Sequence, residues 1–111
     1  MRPHSILIPV ADMSAAVHFY RDCVGLVLKF QDGDRYAAFE FGSLTLALLG
    51  SKERISDVAT VAFRVDDIER AQAQTIAAGG SPATAIEMGP HELRCVLDTA
   101  GGRIALSQKR M

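Results

Sequence analysis

The sequence predicts an α+β fold: two βαβββ modules in one chain, with curved mixed sheets that each offer a concave cleft. Two observations carry this. The first is a repeat. Set 55 positions apart, Val10 falls on Val65, Asp12 on Asp67, Met13 on Ile68, Ala16 on Ala71 and Gly25 on Gly80. Each copy alternates apolar residues up to an Asp and then changes to a 3.6-type pattern. That is the mark of a strand becoming a helix behind a good capping residue. The second is length: within 111 residues neither copy can bury a sheet face alone, so the two are expected to share one structure. Residues 1–111 are read as a single domain, with module one at about 4–50 and module two at about 59–108.

Residues 5–11 read as the first strand, with Ile6, Ile8 and Val10 on one face and Ser5, Leu7 and Pro9 on the other. Pro9 cannot donate to a ladder and points to an edge or bulged position. Asp12 caps a helix over roughly 13–23 with Ala16, Phe19, Tyr20 and Cys23 as its apolar stripe, and Gly25 stands where the C-terminal turn wants a positive φ. Val27–Phe30 is strand-like. Asp32-Gly33-Asp34 turns the chain into Tyr36–Phe41, and Gly42-Ser43 turns it again into the strongly apolar strand Leu44–Leu49. Gly50 to Val58 is polar, lacks periodicity and reads as a linker. The order then repeats with a strand over 60–66. A helix follows Asp66 or Asp67, with Ile68, Ala71, Thr75 and Ala78 buried and Gly79-Gly80 stopping it. A short strand at 83–87, a turn at Met88-Gly89-Pro90, a strand at 92–97, a turn over Thr99–Gly102 and a last strand at 103–108 complete the chain.

Composition narrows the function classes. The hydrophobic fraction of 49% is that of an ordinary globule, and a formal net charge of -1 leaves no basic footprint for nucleic acid or an anionic membrane. No apolar run reaches the ~18 residues that span a bilayer, and the start of the chain lacks a signal-peptide segment, so a cytoplasmic location is expected. Cys23 and Cys95 have no metal-like spacing and are expected as free thiols.

Three stretches resemble a known family. Phe19-Tyr20-Arg21-Asp22-Cys23-Val24-Gly25-Leu26 resembles the Phe-Tyr-x-x-x-Leu-Gly-Leu segment that ends the first helix of the vicinal oxygen chelate superfamily, which holds glyoxalase I, extradiol dioxygenases and bleomycin-resistance proteins. Ala62–Ile68 resembles the start of that family's second module. Asp98-Thr99-Ala100-Gly101-Gly102-Arg103-Ile104-Ala105-Leu106 resembles its Asp-Pro-Asp-Gly-Asn-x-Ile-Glu-Leu hairpin. The resemblance covers essentially the whole chain. It implies the two-module fold, a cleft for a small molecule, and chains that commonly pair with each site bordered by both. It does not choose between metalloenzymes and metal-free binding proteins.

The resemblance also locates the slots where metal-binding members carry their ligands. A His stands seven residues before the Asp that opens each helix, and here those residues are Ser5 and Thr60. The carboxylate of the last strand is replaced by Ala105, and its first-module counterpart is Thr45. Hydroxyls are poor ligands for a divalent transition metal and a methyl is none, so no metal and no cofactor are expected. His4 is one residue out of register, which turns it to the opposite face. His18 reads as an exposed helix histidine. His91 and Glu92 point to opposite faces of a strand. Cys95 and Cys23 read as small core hydrophobes, and no nucleophile–base pair is recognisable by spacing.

By alternation the face away from the helices carries Leu7, Thr45, Thr60, Ala105 and, in the hairpin strands, Tyr36, Glu40 and Arg94, with Arg64 beside them. These eight are the candidate ligand-binding residues: an apolar and hydroxyl surface with a few groups able to orient a ligand. No residue is assigned a catalytic role. Three readings stay open. One is metal-independent binding of a small, largely apolar or aromatic molecule. Another is a lyase, isomerase or dioxygenase-related enzyme using a displaced metal at His4 or His91, or acid–base work by Glu40, Glu92 or Tyr36. The third is a structural or regulatory protein. A homodimer is expected, because Leu7, Ala47, Leu49 and Val96 would leave apolar sheet surface uncovered.

Overall fold

The computed structural model describes residues 1–110. The chain separates into two compact units, one of Ser5–Ala59 and one of Met1–His4 with the chain from Thr60 onward.

The first unit takes β1 from its Ser5 end onward (the whole strand is Arg2–Pro9), then α1 (Met13–His18), β2 (Leu28–Asp32), β3 (Tyr36–Phe41) and β4 (Leu44–Leu49). Its strand order is β2-β3-β4-β1. β3 lies antiparallel to both neighbours, and β1 joins β4 in parallel with Ser5 opposite Thr45 and Leu7 opposite Ala47. Asp12 caps α1 as its position in the repeat predicts, its carboxylate accepting from the Ala15 amide at 3.0 Å. The core joins Met13 and Val17 of the helix to Ala37, Phe39, Leu46 and Leu48 of the sheet, with Ile8, Val10, Ala16 and Tyr20 packed around them.

The helical stretch from Asp12 is not one regular helix. After His18 the backbone opens into a π-helical turn over Phe19–Val24, which ends at Gly25 with φ 86°, the left-handed cap that glycine reaches without strain. The wider i→i+5 turn rotates everything beyond Val17 off the 3.6 pitch. Tyr20 therefore stays against the core, whereas Phe19 is half-exposed and Cys23 lies at the surface, contrary to the predicted stripe.

The second unit runs through β5 (Thr60–Arg64), α2 (Ile68–Ala77), β6 (Ser81–Pro82), β7 (Glu87–Met88), β8 (Glu92–Thr99) and β9 (Gly102–Lys109). Its order is β5-β9-β8-β6, with β7 also against β8. β5 and β9 are parallel, and β8–β9 is a hairpin in which the Arg103 guanidinium grips Asp98 at 2.8 and 3.1 Å. That bond holds the Asp98 carboxyl below its usual range. Asp67 caps α2 by accepting from the Arg70 amide, and Gln108 of β9 adds an acceptor for the Ile68 amide at 2.8 Å. The core is Val65, Ile68, Ala71, Cys95, Leu97 and Leu106, with Phe63, Leu93 and Ile104 at its edge. The helix contributes Ile68 and Ala71. Thr75 is half-buried and bonds back to the Ala71 carbonyl, and Ala78 is the exposed C-cap. The strand expected at 83–87 is instead two two-residue strands, β6 and β7, flanking an irregular 83–86.

The expectation of curved sheets enclosing concave clefts does not hold. Each unit lines its strands up in an open, mixed parallel and antiparallel order that starts or ends on a free strand, β2 in the first and β6 in the second. Rolling a sheet onto itself takes about eight staggered strands, and neither unit has enough long ones. The expected linker is also tied down. Arg35 pairs with Glu53 at 2.7 Å, Arg54 donates to the Val10 carbonyl at 2.9 Å, and the Gly50 amide donates to the Arg35 carbonyl at 2.9 Å.

Candidate functional site

Alternation along the strands assigns each unit a second face, turned away from its helix and largely buried within the chain. In the first unit the helix-side positions are Ile8, Ala37, Phe39, Leu46 and Leu48, so their neighbours point away from α1. Register sets these in rows: Ser5, Thr45 and Glu40; then Leu7, Ala47 and Ala38; then Pro9, Leu49 and Tyr36. Of the candidates, Leu7, Tyr36, Glu40 and Thr45 thus share one face. Tyr36, Thr45 and Leu7 are half-buried, and Glu40 is exposed.

Two residues of this face are not legible by simple alternation. A register shift between Leu28 and Phe30 makes Lys29 an extra residue in β2. Such a bulge re-aims the side chains around it. Phe30, which strict alternation would place beneath the helix beside Leu28, comes to stand opposite Ala38 and packs its ring 6.2 Å from that of Tyr36. Lys29 reaches Thr45 and donates to its hydroxyl at 2.8 Å. No Gly or Pro in Val27–Phe30 announces the bulge.

In the second unit Phe63, Cys95, Leu97, Ile104 and Leu106 face α2, and Ala62, Arg64, Arg94, Val96, Ala105 and Ser107 take the other side. Ser107 lies between Arg64 of β5 and Arg94 of β8, in register with both. Thr60 and Ala105 are buried at 2% exposure each. Arg64 has two further neighbours, His4 with Nε2 at 3.1 Å and Glu92 with a carboxylate oxygen at 3.6 Å. Sequence phase had turned His4 away from this face. The strand periodicity gives a side chain's direction only approximately at a strand's first residues, and the long arginine side chain closes the gap.

Leu7, Tyr36, Glu40 and Thr45 thus share a face within the first unit, and Thr60, Arg64, Arg94 and Ala105 belong to the second. The slots that would hold a metal do not fit one. Ser5 and Thr45 face each other across β1 and β4 with the Lys29 ammonium already on Thr45, and a cation there opposes a second cation. Thr60 and Ala105 offer a hydroxyl and a methyl. Among the described residues no three His, Cys, Asp or Glu side chains are grouped to hold an ion. Ala47, Leu49 and Val96, expected to leave apolar surface for a partner, are only 2%, 7% and 2% exposed within the single chain. A shallow depression of about 480 Å³ bounded by Asp12, His18, Arg21 and Gln31 includes none of the candidates.

The thiols differ sharply. Cys95 is 1% exposed, and burial pushes its thiol above the ordinary value, whereas Cys23 is exposed. A disulfide reagent at neutral pH should titrate one thiol per native chain rapidly and the second only in denaturant. Rapid reaction of both in native buffer would contradict the burial of Cys95.

Among the described residues no helix is long and apolar enough to cross a membrane. Comparison with known proteins agrees with the architecture. A protein of Mycolicibacterium smegmatis, itself uncharacterised, is 30% identical over 109 residues, covering 92% of this chain and 90% of its own. Among solved structures, a glyoxalase/bleomycin resistance protein/dioxygenase superfamily member from Vibrio splendidus 12B01 superposes with a TM-score of 0.73 at 18% identity, over 95% of this chain and 97% of its own. Methylmalonyl-CoA epimerase of Streptomyces coelicolor superposes with a TM-score of 0.74 at 20% identity, over 100% and 99%. An NAD-dependent benzaldehyde dehydrogenase structure from Legionella pneumophila reaches 0.79 at 15% identity, over 97% and 100%. At such identities these three speak for the fold alone. The family profile matches residues 2–106, nearly the whole repeat of strand, helix and strands, and the chain belongs to the Glyoxalase/Bleomycin resistance protein/Dioxygenase superfamily.

Proposed function

We propose that this chain is a metal-independent binding protein for a small, largely apolar or aromatic molecule. The observation that carries this is the filling of the ligand slots: Ser5, Thr45, Thr60 and Ala105, with Lys29 bonded to Thr45. A chain without imidazole, thiolate or carboxylate at those places lacks the donors for a catalytic divalent ion, while binding needs only shape and a few polar anchors. On the first unit's face away from α1, Leu7 lies in an apolar row with the buried Ala38 and Ala47, and the Phe30–Tyr36 ring pair, with Phe30 exposed, offers a stacking surface. Glu40, Lys29 and Thr45 are the polar groups that would orient the ligand there. Thr60, Arg64, Arg94 and Ala105 form the second set, on the other unit.

The same reading takes residues 1–111 as one cytoplasmic domain that pairs as a homodimer. Two free thiols suit a reducing compartment. Pairing is supported by family resemblance and by the apolar side chains left at the surface of the first unit, Val27 and Phe30 at 58% exposure each and Phe41 at 41%. Native mass spectrometry of untagged protein purified without added metal tests the whole proposal. The expected species is a dimer of the 12.0 kDa chain with well under one equivalent of divalent metal, and with any retained mass that of an organic molecule. One tightly held metal ion per chain, lost when Thr60 or Ser5 is replaced by Ala, would end the metal-free reading. A mass of one chain at micromolar protein would end the dimer.

A further inference from the structure

We propose that the second unit carries an oxyanion site in which Arg64 and Arg94 together hold a carboxylate or phosphate group over Ser107. This goes beyond the apolar binding face of the first unit and does not depend on it. Arg64 and Arg94 project from β5 and β8 on either side of β9 and are both in register with Ser107, itself 6% exposed. Adjacent strands lie about 4.8 Å apart, so with β9 between them the two arginines start about 9.6 Å apart, within reach of one small oxyanion for side chains of that length.

Both guanidinium groups hold an unused donor. The Nε atoms of Arg64 and Arg94 are buried and have no hydrogen-bond partner among the described residues. A buried N–H left unpaired is costly, and for a charged group more so, so two of them on one face call for an acceptor that the described residues do not provide. The fork of an arginine, with Nε and one Nη aligned, is the geometry that takes a carboxylate or phosphate through two parallel bonds. The site is also held in place. The Arg94 guanidinium lies beside Gly89, where an added Cβ would come 3.4 Å from Nη1. Arg64 Nη2 lies 3.1 Å from His4 Nε2.

Among the described residues the countercharges are too few and too distant to close it. Glu92 stands 3.6 Å from Arg64 Nη2, an ion pair beyond good hydrogen-bond length that leaves Nε unserved. Glu87 is opposite Arg94 across β7 and β8 but is exposed to solvent. The resident carboxylates meet neither Nε. Arg103 and Arg35, by contrast, are served by carboxylates of the chain, Asp98 and Glu53.

The test is to add inorganic phosphate, and separately sodium benzoate, to wild-type protein at constant ionic strength set with chloride, and to follow arginine Nε–Hε resonances by NMR. Saturable shifts of the Arg64 and Arg94 signals at up to about 10 mM anion, with those of Arg35 and Arg103 unmoved, are expected. Which anion saturates first distinguishes a phosphate-bearing from a carboxylate-bearing ligand. Arg64→Gln and Arg94→Gln should each weaken binding by about tenfold or more; Arg94→Gln should do so without lowering the unfolding midpoint of the anion-free protein, because its Nε has no bond to lose, whereas Arg64→Gln also gives up the His4 and Glu92 contacts. Arg35→Gln should leave anion binding unchanged. If a Gln variant fails to fold, Arg94→Lys, which keeps the charge and removes the fork, carries the same expectation. Shifts absent with both anions, equal shifts at all four arginines, or full affinity in the variants would each overturn the proposal.

Discussion

Phe39→Ala is expected to destabilise the protein by about 3–5 kcal/mol, a large share of the ~5–15 kcal/mol that holds a domain of this size together. Phe39 is 0% exposed and stands in β3, paired on both sides, so its ring cannot be replaced by water or by a shift of an edge. It fills the space between Met13 and Val17 of α1 and the Leu46 and Leu48 side chains of β4, and Tyr20 packs against it with ring centroids 6.0 Å apart. Truncation removes the transfer energy of the ring and leaves a cavity that a close-packed neighbourhood fills only partly. The π-helical turn makes this worse, because Tyr20 is held over Phe39 by a backbone that has already left regular pitch. The measurement is a chemical denaturation series, with the midpoint falling at unchanged slope. Phe30→Ala is the matched control. With its ring 58% exposed, it should cost about 1 kcal/mol or less. A Phe39→Ala loss as small as that of Phe30→Ala would mean that β3 is not packed beneath α1.

Gly50→Ala is expected to cost at least about 2 kcal/mol, from overpacking against backbone that cannot yield. Gly50 is buried at the end of β4. A Cβ there would run into the Asp34 carbonyl oxygen, closer than real Cβ atoms approach, and would sit 3.2 Å from the Arg35 carbonyl oxygen. The same Arg35 carbonyl accepts from the Gly50 amide at 2.9 Å. Moving the chain aside to relieve the clash therefore breaks the bond that joins the linker to the β2–β3 turn, and the Arg35–Glu53 pair with it. The comparison is Gly101→Ala, where the nearest atom to an added Cβ is the Thr99 hydroxyl at 3.6 Å, ordinary contact. That variant should lie within about 0.5 kcal/mol of wild type. Thermal and denaturant unfolding of the two variants side by side would decide the matter. Equal stability would show that the segment after β4 is free to move away.

What the sequence alone determined is what local chemistry decides. Asp12 and Asp67 both cap helices because an Asp carboxylate ahead of a helical pattern can take the amide three residues on. Gly25 takes the left-handed turn because side chains resist it. Apolar alternation placed Ile8, Ala37, Phe39, Phe63, Cys95 and Leu106 on the helix side of their strands, and so placed Leu7, Glu40, Arg64 and Arg94 on the other. Each of these is a rule over a few neighbouring residues, and the 55-residue repeat applied it twice.

Tertiary structure decided the rest, in every case through an encounter between residues distant in sequence. The bulge that turns Phe30 onto the face away from α1 exists only against β3, and the π turn that exposes Cys23 serves the placing of Tyr20 over Phe39. Gly50 read as part of a polar linker, and only the approach of the β2–β3 turn makes it indispensable. Whether the sheets roll or stay open depends on strand number and stagger, which periodicity does not encode. Arg64 and Arg94 were visible as charged residues on one face. That both Nε atoms are buried without a partner among the described residues is a property of three strands meeting, since burial and hydrogen-bond satisfaction are set by whatever the fold brings alongside.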